Sequence, residues 1–261
     1  MKKSISGHYI PLSAPRRIIG DMLHISRDIP LVPGERTMQL ASVVEARNAT
    51  RPRPSWLAMF VKSLARVAAV TPELRRVFVK RPWHRLFQYD QIVITVVVER
   101  DCGGGETGLF LARIESPENL SLAEIDAQIR KFKERPIEKI SGFKSALNIA
   151  RFPSFLRLAF WSLIMNWMPR LRGRFLGTVG ISLTAGMGGV ALSLLTPWTF
   201  TMFYDAFGDD GSLVTRCMID HRVIDGRLGC KIGKAVEQEM NSTILQELRS
   251  MAVPAASKQA A

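Results

Sequence analysis

The chain has 261 residues, 47% apolar and 23% charged, the composition of a globular protein with a sizeable core and length for one large domain or two small ones. Lysine and arginine outnumber aspartate and glutamate by 36 to 23, a net charge of +13, which favours an anionic partner such as a phosphorylated cofactor, a membrane surface or nucleic acid. That charge is spread along the chain without a dense basic block or an aromatic–basic module, so no nucleic acid is expected.

Residues 1–10 read as an N-terminal tail, because the basic start is followed by polar residues and not by the apolar core of a signal peptide. Ile18, Ile19, Met22 and Leu23 fall at helical spacing and predict a helix over 16–27. Alternation of Met38, Leu40, Ser42 and Val44 predicts a strand over 37–44. Ser55 stands as an N-cap before Leu57, Phe60, Val61, Leu64 and Val67, an amphipathic helix that ends near Thr71-Pro72. The β-branched run 92–98 predicts a strand buried on both faces, and 109–114 predicts another. Ser121 and Glu124 form a capping box for a helix running to about Glu134.

The stretch 151–175 breaks this rhythm, mixing Phe155, Leu156, Trp161 and Trp167 with Arg151, Arg157, Arg170, Arg172 and Arg174. It predicts a basic, apolar helical insert at about 143–176. Its apolar part, 155–168, is shorter than the roughly 20 residues a spanning helix needs, so no transmembrane segment is expected. Either the stretch packs on the subunit's own core or a neighbouring subunit with its arginines solvated, or its tryptophans and arginines suit an interfacial helix on an anionic membrane surface. Strands are predicted over 178–183, 190–194, 199–204 and 213–219, with Gly208-Asp209-Asp210-Gly211-Ser212 as the turn between the last two. A helix over 226–248 closes the domain, and 251–261 reads as a flexible tail. With no repeats and no linker, 11–250 reads as a single α/β domain. Cys102, Cys217 and Cys230 are odd in number and lack Cys-x-x-Cys spacing, which predicts apolar fillers in a reducing cytoplasm and no metal site.

The chemistry concentrates in Asp220-His221-Arg222-Val223-Ile224-Asp225-Gly226. A histidine held at a strand end is suited to general-base work, since imidazole titrates near neutrality. The aspartate four residues on, before a glycine suited to a tight turn, would fix the loop by an ion pair or through backbone amides. Taken alone, such a segment reads as an ordinary turn with a solvated histidine.

Taken with its company, the chain resembles the catalytic domain of the dihydrolipoyl acyltransferases of 2-oxo acid dehydrogenase complexes, whose fold is shared with chloramphenicol acetyltransferase. Pro11-Leu12-Ser13-Ala14-Pro15-Arg16-Arg17-Ile18-Ile19 is similar to the family's opening helix. The stretch 60–74 looks like its second helix. Gly177-Thr178-Val179-Gly180-Ile181-Ser182 looks like its Gly-Thr-Phe-Thr-Ile-Ser strand, and 220–226 matches its active-site loop. The resemblance implies a mixed-sheet, CoA-dependent acyltransferase fold assembled as a homotrimer or a multiple of trimers, with active sites between subunits. It implies that His221 takes a proton from an attacking thiol, hydroxyl or amine, and that Ser182 donates to the oxyanion. It implies that Asp225 pairs with Arg16, and with Gly226 supports the loop. Acyl-CoA is the implied co-substrate.

Departures accompany the match. No lipoyl group is expected on this chain, since nothing resembling a lipoyl domain precedes Pro11. Leu183-Thr184-Ala185-Gly186 replaces the usual continuation after the serine, Pro197-Trp198-Thr199 stands where an acidic turn is common, and the stretch between Ser182 and His221 is short. The alternative function is a non-catalytic trimeric scaffold or regulatory protein that keeps the fold.

Overall fold

Three helices begin where a serine side chain caps them. Ser13 Oγ accepts from the amide of Arg16, Ser55 Oγ from that of Ala58, and Ser121 Oγ from that of Glu124, whose carboxylate returns a bond to the Ser121 amide at 2.8 Å. Each bond satisfies an amide that the first helical turn leaves without a partner. The computed structural model describes residues 5–103, 105–183 and 192–251. In chain order the elements are α1 (Ala14–Ser26), β1 (Leu31–Gln39), α2 (Ala41–Ala49), α3 (Trp56–Val70), β2 (Arg76–Val79), β3 (Arg85–Gln88), β4 (Val93–Asp101) and β5 (Thr107–Glu115). There follow α4 (Leu122–Glu134), α5 (Ser141–Ala150), α6 (Ser154–Asn166), α7 (Pro169–Leu176), β6 (Val179–Leu183), β7 (Phe200–Phe207), β8 (Ser212–Asp220), α8 (Gly226–Glu239) and α9 (Leu245–Met251). A single π turn, Met240–Ile244, joins α8 to α9, so the closing helix forms with one local irregularity.

Six strands make one mixed sheet in the order β1-β8-β7-β6-β4-β5, parallel where β6 meets β4 and β7 and antiparallel elsewhere. Strands β2 and β3 form a separate hairpin. The period of two along β5 sends Phe110, Ala112 and Ile114 into the main core with α3, α4 and α8. Leu111 on the opposite face joins a second cluster built from Ile25, Ile29, Trp161, Ile164, Met165 and Leu176. Helices α6 and α7 are thus packed into the protein by their own small core.

Two sequence expectations are corrected. The strand drawn over 37–44 lies earlier, as β1, and Ala41–Ala49 is helical. Pro33 and Gly34 disfavour a strand, yet β1 is a sheet edge, where an unpaired proline is tolerated. In the strand expected over 190–194, residues 192–194 are irregular, while Val190 and Ala191 lie outside the described residues.

The stretch considered for a membrane surface has some of its tryptophan and arginine side chains buried and others exposed. Trp161, Arg157 and Arg172 are buried, leaving Phe155, Leu156, Leu163, Trp167 and Met168 on the surface. Arg157 Nε and Nη2 reach the two carboxylate oxygens of Asp21 on α1 at 2.9 and 3.2 Å. Arg172 donates to the carbonyls of Phe78 and Pro197 at 3.2 and 2.7 Å. Burial lowers the pKa of its guanidinium, opposed by Tyr89 and Asp220. Among the described residues no helix is long and apolar enough to cross a membrane.

Gly177 and Gly180 explain part of the matched strand motif. Gly177 has φ 71°, and a Cβ there would sit 2.3 Å from Thr95 Oγ1 and 2.8 Å from the Val93 carbonyl. A Cβ on Gly180 would sit 2.6 Å from the Trp198 ring, which packs flush on the strand. Thr178 Oγ1 meanwhile donates to the Val93 carbonyl at 3.0 Å, fastening β6 to β4. Gly177→Ala combines backbone strain with a backbone clash, so a loss of at least about 2 kcal/mol is expected in urea titration. A loss near zero would show that the α7–β6 junction relaxes freely.

Candidate active site

The segment 220–226 begins as the end of β8 and turns into α8. Asp220 is fully buried, and its amide donates to the Thr199 carbonyl at 2.9 Å. Its carboxylate takes two bonds from the Arg222 guanidinium, at 2.8 and 2.7 Å, and a third from the Arg222 amide at 3.1 Å. The Asp220 carbonyl accepts from the amides of Val223 and Ile224. A buried carboxylate with this many donors is compensated for its lost hydration, and the loop is tied to one conformation. The Arg222 guanidinium also lies 4.4 Å from the ring centroid of Phe78. His221, between these two residues, is held by a bond from its amide to the Pro30 carbonyl at 3.1 Å, and it is exposed. The backbone is fixed while the imidazole faces outward.

Sequence reasoning placed the support of this loop on Asp225, Arg16 and Gly226, and the structure shows each in the following setting. Asp225 caps α8, its carboxylate accepting from the Leu228 amide at 2.7 Å, which is the backbone-amide role left open by the motif. Arg16 is exposed on α1, and among the described residues of one chain no ion pair joins it to Asp225. Gly226 is the first residue of α8, and a Cβ there would meet nothing within 4 Å, so sterics do not require glycine. The acid and base flanking His221 add a second tie to the loop. Their charges were visible in the motif; the burial that gives them their role was not.

Ser182 is half-buried near the end of β6. In register it faces Phe203 on β7, which in turn faces Arg216 on β8. His221 lies five residues further along β8 and two strands away, so the two backbones are roughly 19 Å apart from strand rise and spacing. The two side chains cannot meet across that distance within one chain. The residues that follow Ser182 in the loop, 184–191, lie outside the described residues.

Beside the histidine loop is a cleft of about 240 Å³ lined by His24, Asp28, Lys80, His84, Arg172 and Arg222, among others. Its charged groups are predominantly basic. Two of the thiols are disfavoured as nucleophiles: burial pushes Cys217 up to about 11, and Cys102 is raised as well, first by burial and then by Glu106 and Asp101. Among the described residues, no group of three or more histidine, cysteine, aspartate or glutamate side chains is arranged to hold a metal ion.

By sequence, no protein-family model and no curated protein matches the chain. By structure, a probable dihydrolipoamide acetyltransferase from Listeria monocytogenes aligns over 97% of this chain and 98% of its own, with TM-score 0.63 and 16% identity. The dihydrolipoamide acetyltransferase of Azotobacter vinelandii aligns over 95% of both chains, with TM-score 0.64 and 16% identity. A chloramphenicol acetyltransferase aligns over 85% of this chain and 94% of its own, with TM-score 0.52 and 14% identity. At these identities the likeness is one of fold. Together with the mixed six-stranded sheet, it shows that the chain has the chloramphenicol acetyltransferase-like fold of the dihydrolipoyl acyltransferase catalytic domains.

Proposed function

We propose that the protein is a cytoplasmic, CoA-dependent acyltransferase that moves an acyl group between coenzyme A and a thiol, hydroxyl or amine acceptor. The observation that carries this reading is His221, exposed on a loop whose backbone is locked by the pairing of buried Asp220 with Arg222. A general base needs a fixed position and an open face, and this one has both. In the reaction, His221 accepts the proton of the attacking group as that group adds to the thioester carbonyl. The negative charge then on the carbonyl oxygen is met by the Ser182 hydroxyl. Collapse of the tetrahedral adduct breaks the carbon–sulfur bond, and the proton held by His221 passes to the departing thiolate. The neighbouring basic cleft suits the phosphates of coenzyme A, with Lys80, His24 and His84 as donors. The Azotobacter enzyme, whose mechanism was investigated through a serine, a histidine and an asparagine, lends support for two of these three residue types.

The separation of Ser182 from His221 along the sheet favours a homotrimer in which one subunit supplies the base and its neighbour the oxyanion donor. The test is complementation. His221→Ala and Ser182→Ala are each expected to be impaired alone, with Ser182→Ala lowering kcat more than it raises KM. Co-expressed, the two variants are expected to recover activity at about one quarter of the sites, the share in which random mixing pairs an intact base with an intact donor across a head-to-tail interface. Thiol release from a panel of acyl-CoAs, with dithiol, alcohol and amine acceptors supplied, is the readout. No gain on co-expression would remove Ser182 from the site. Parent protein inert towards every pair would leave the non-catalytic scaffold.

A further inference from the structure

The outward face of β5 and the helices α1, α5, α6 and α7 enclose a cavity of about 440 Å³, within the size range of small-molecule sites. It lies at the edge of the sheet four strands from β8, away from the histidine loop. Leu109, Leu111, Ile149, Trp161 and Phe175 give it apolar walls. Its polar lining consists of Arg113, Arg174, Ser141 and Ser145, with no carboxylate among the described residues that line it. Trp161 is only 6% exposed, and its Nε1–H is buried with no hydrogen-bond partner among the described residues. A buried indole N–H normally finds an acceptor, and Trp161, a residue of the cavity lining, has none among the described residues.

The charge around the cavity points the same way. Arg113 and Arg174 make no ion pair among the described residues. Burial lowers the pKa of the Arg113 guanidinium; Glu115 offsets part of this and Arg174 adds to it. Helix α5 starts at the cavity with Ser141 and Gly142, and no side chain caps it, so its first amides and its positive dipole end are available to an anion. Arg113 stands next to that helix start, 4.0 Å from where a Gly142 Cβ would be.

We propose that this cavity is a second binding site, for a single-chain anionic amphiphile whose carboxylate or phosphate head meets Arg113, Arg174 and the start of α5 while its alkyl chain lies along the walls. The site would allow acyl chains or their free acids to be sensed apart from the reaction at His221, and its existence does not depend on that reaction.

The experiment is displacement of a dansyl-labelled fatty acid from the full-length protein by dodecanoate, dodecyl phosphate and dodecanol. Both anions are expected to compete at least about ten-fold better than the alcohol, and the tighter of the two names the head group. Arg113→Ala/Arg174→Ala should weaken the anions at least about ten-fold, whereas Arg113→Lys/Arg174→Lys, which keeps the charge, should retain most of the affinity. Ala146→Phe, which fills the cavity, should remove binding with the thermal melt preserved. His221→Ala should leave it unchanged. Equal competition by dodecanol, full affinity in the alanine pair, or loss of binding in His221→Ala would overturn the proposal, the last by moving the ligand to the histidine loop.

Discussion

His221→Ala is expected to reduce acyl transfer by at least about 10²-fold, the contribution of a positioned general base, and to leave folding untouched. The second half of that expectation follows from the structure. The imidazole is exposed, and the loop is held through the His221 amide and through Asp220 and Arg222 rather than through the ring. Urea midpoints of variant and parent should therefore coincide while steady-state rates separate. Asp220→Asn gives a useful contrast, because it weakens the clamp while keeping His221, so both rate and stability should fall. Equal turnover in His221→Ala and parent would remove the histidine from the mechanism.

Asp21→Ala is expected to cost on the order of 3–5 kcal/mol of stability, because it leaves the Arg157 guanidinium buried without its counter-ion. The side chains of Arg157 and Asp21 are only 9% and 5% exposed, so water cannot replace the lost partner cheaply. Arg157 keeps a single bond, to the Phe152 carbonyl at 2.8 Å. Asp21→Leu/Arg157→Met, which removes both charges and keeps volume, should recover most of the loss. Urea denaturation at one fixed protein concentration is the measurement, since an oligomer's apparent stability depends on concentration. A single-variant loss below about 1 kcal/mol would mean that the ion pair opens to solvent easily.

The elements legible in the sequence were those whose signals are local. Ser55 and Ser121 announced α3 and α4 through bonds reaching three residues, and the β-branched run within β4 marked a strand buried by neighbours on both sides. Strand β1 was obscured by Pro33 and Gly34, whose tolerance depends on a sheet edge that only the assembled topology defines. The β2–β3 hairpin went unnoticed because strands of four residues leave too short a period to read. In the candidate site, His221 was legible because its motif is contiguous. Asp220 was not recognised as the anchor because its burial comes from strands β1 and β7 on either side, and Arg172 was read as one of a set of surface arginines because its acceptor, the Pro197 carbonyl, belongs to a later segment.

That last contact bears on modularity. Two stretches that the sequence reading set apart, the helical stretch before Gly177 and the Pro197-Trp198 segment, meet at one place. Arg172 donates to the Pro197 carbonyl, and Trp198 Nε1 donates to the carbonyl of Leu176, the last residue of α7. With Arg157 fastened to Asp21, the stretch is anchored to the opening helix and to the chain entering β7. It is therefore no detachable cassette: trimming it to a short spacer would strand a buried aspartate, a buried indole and the buried Pro197 carbonyl at once. A chimera carrying either feature alone should misassemble, whereas transplanting both together gives each its partner.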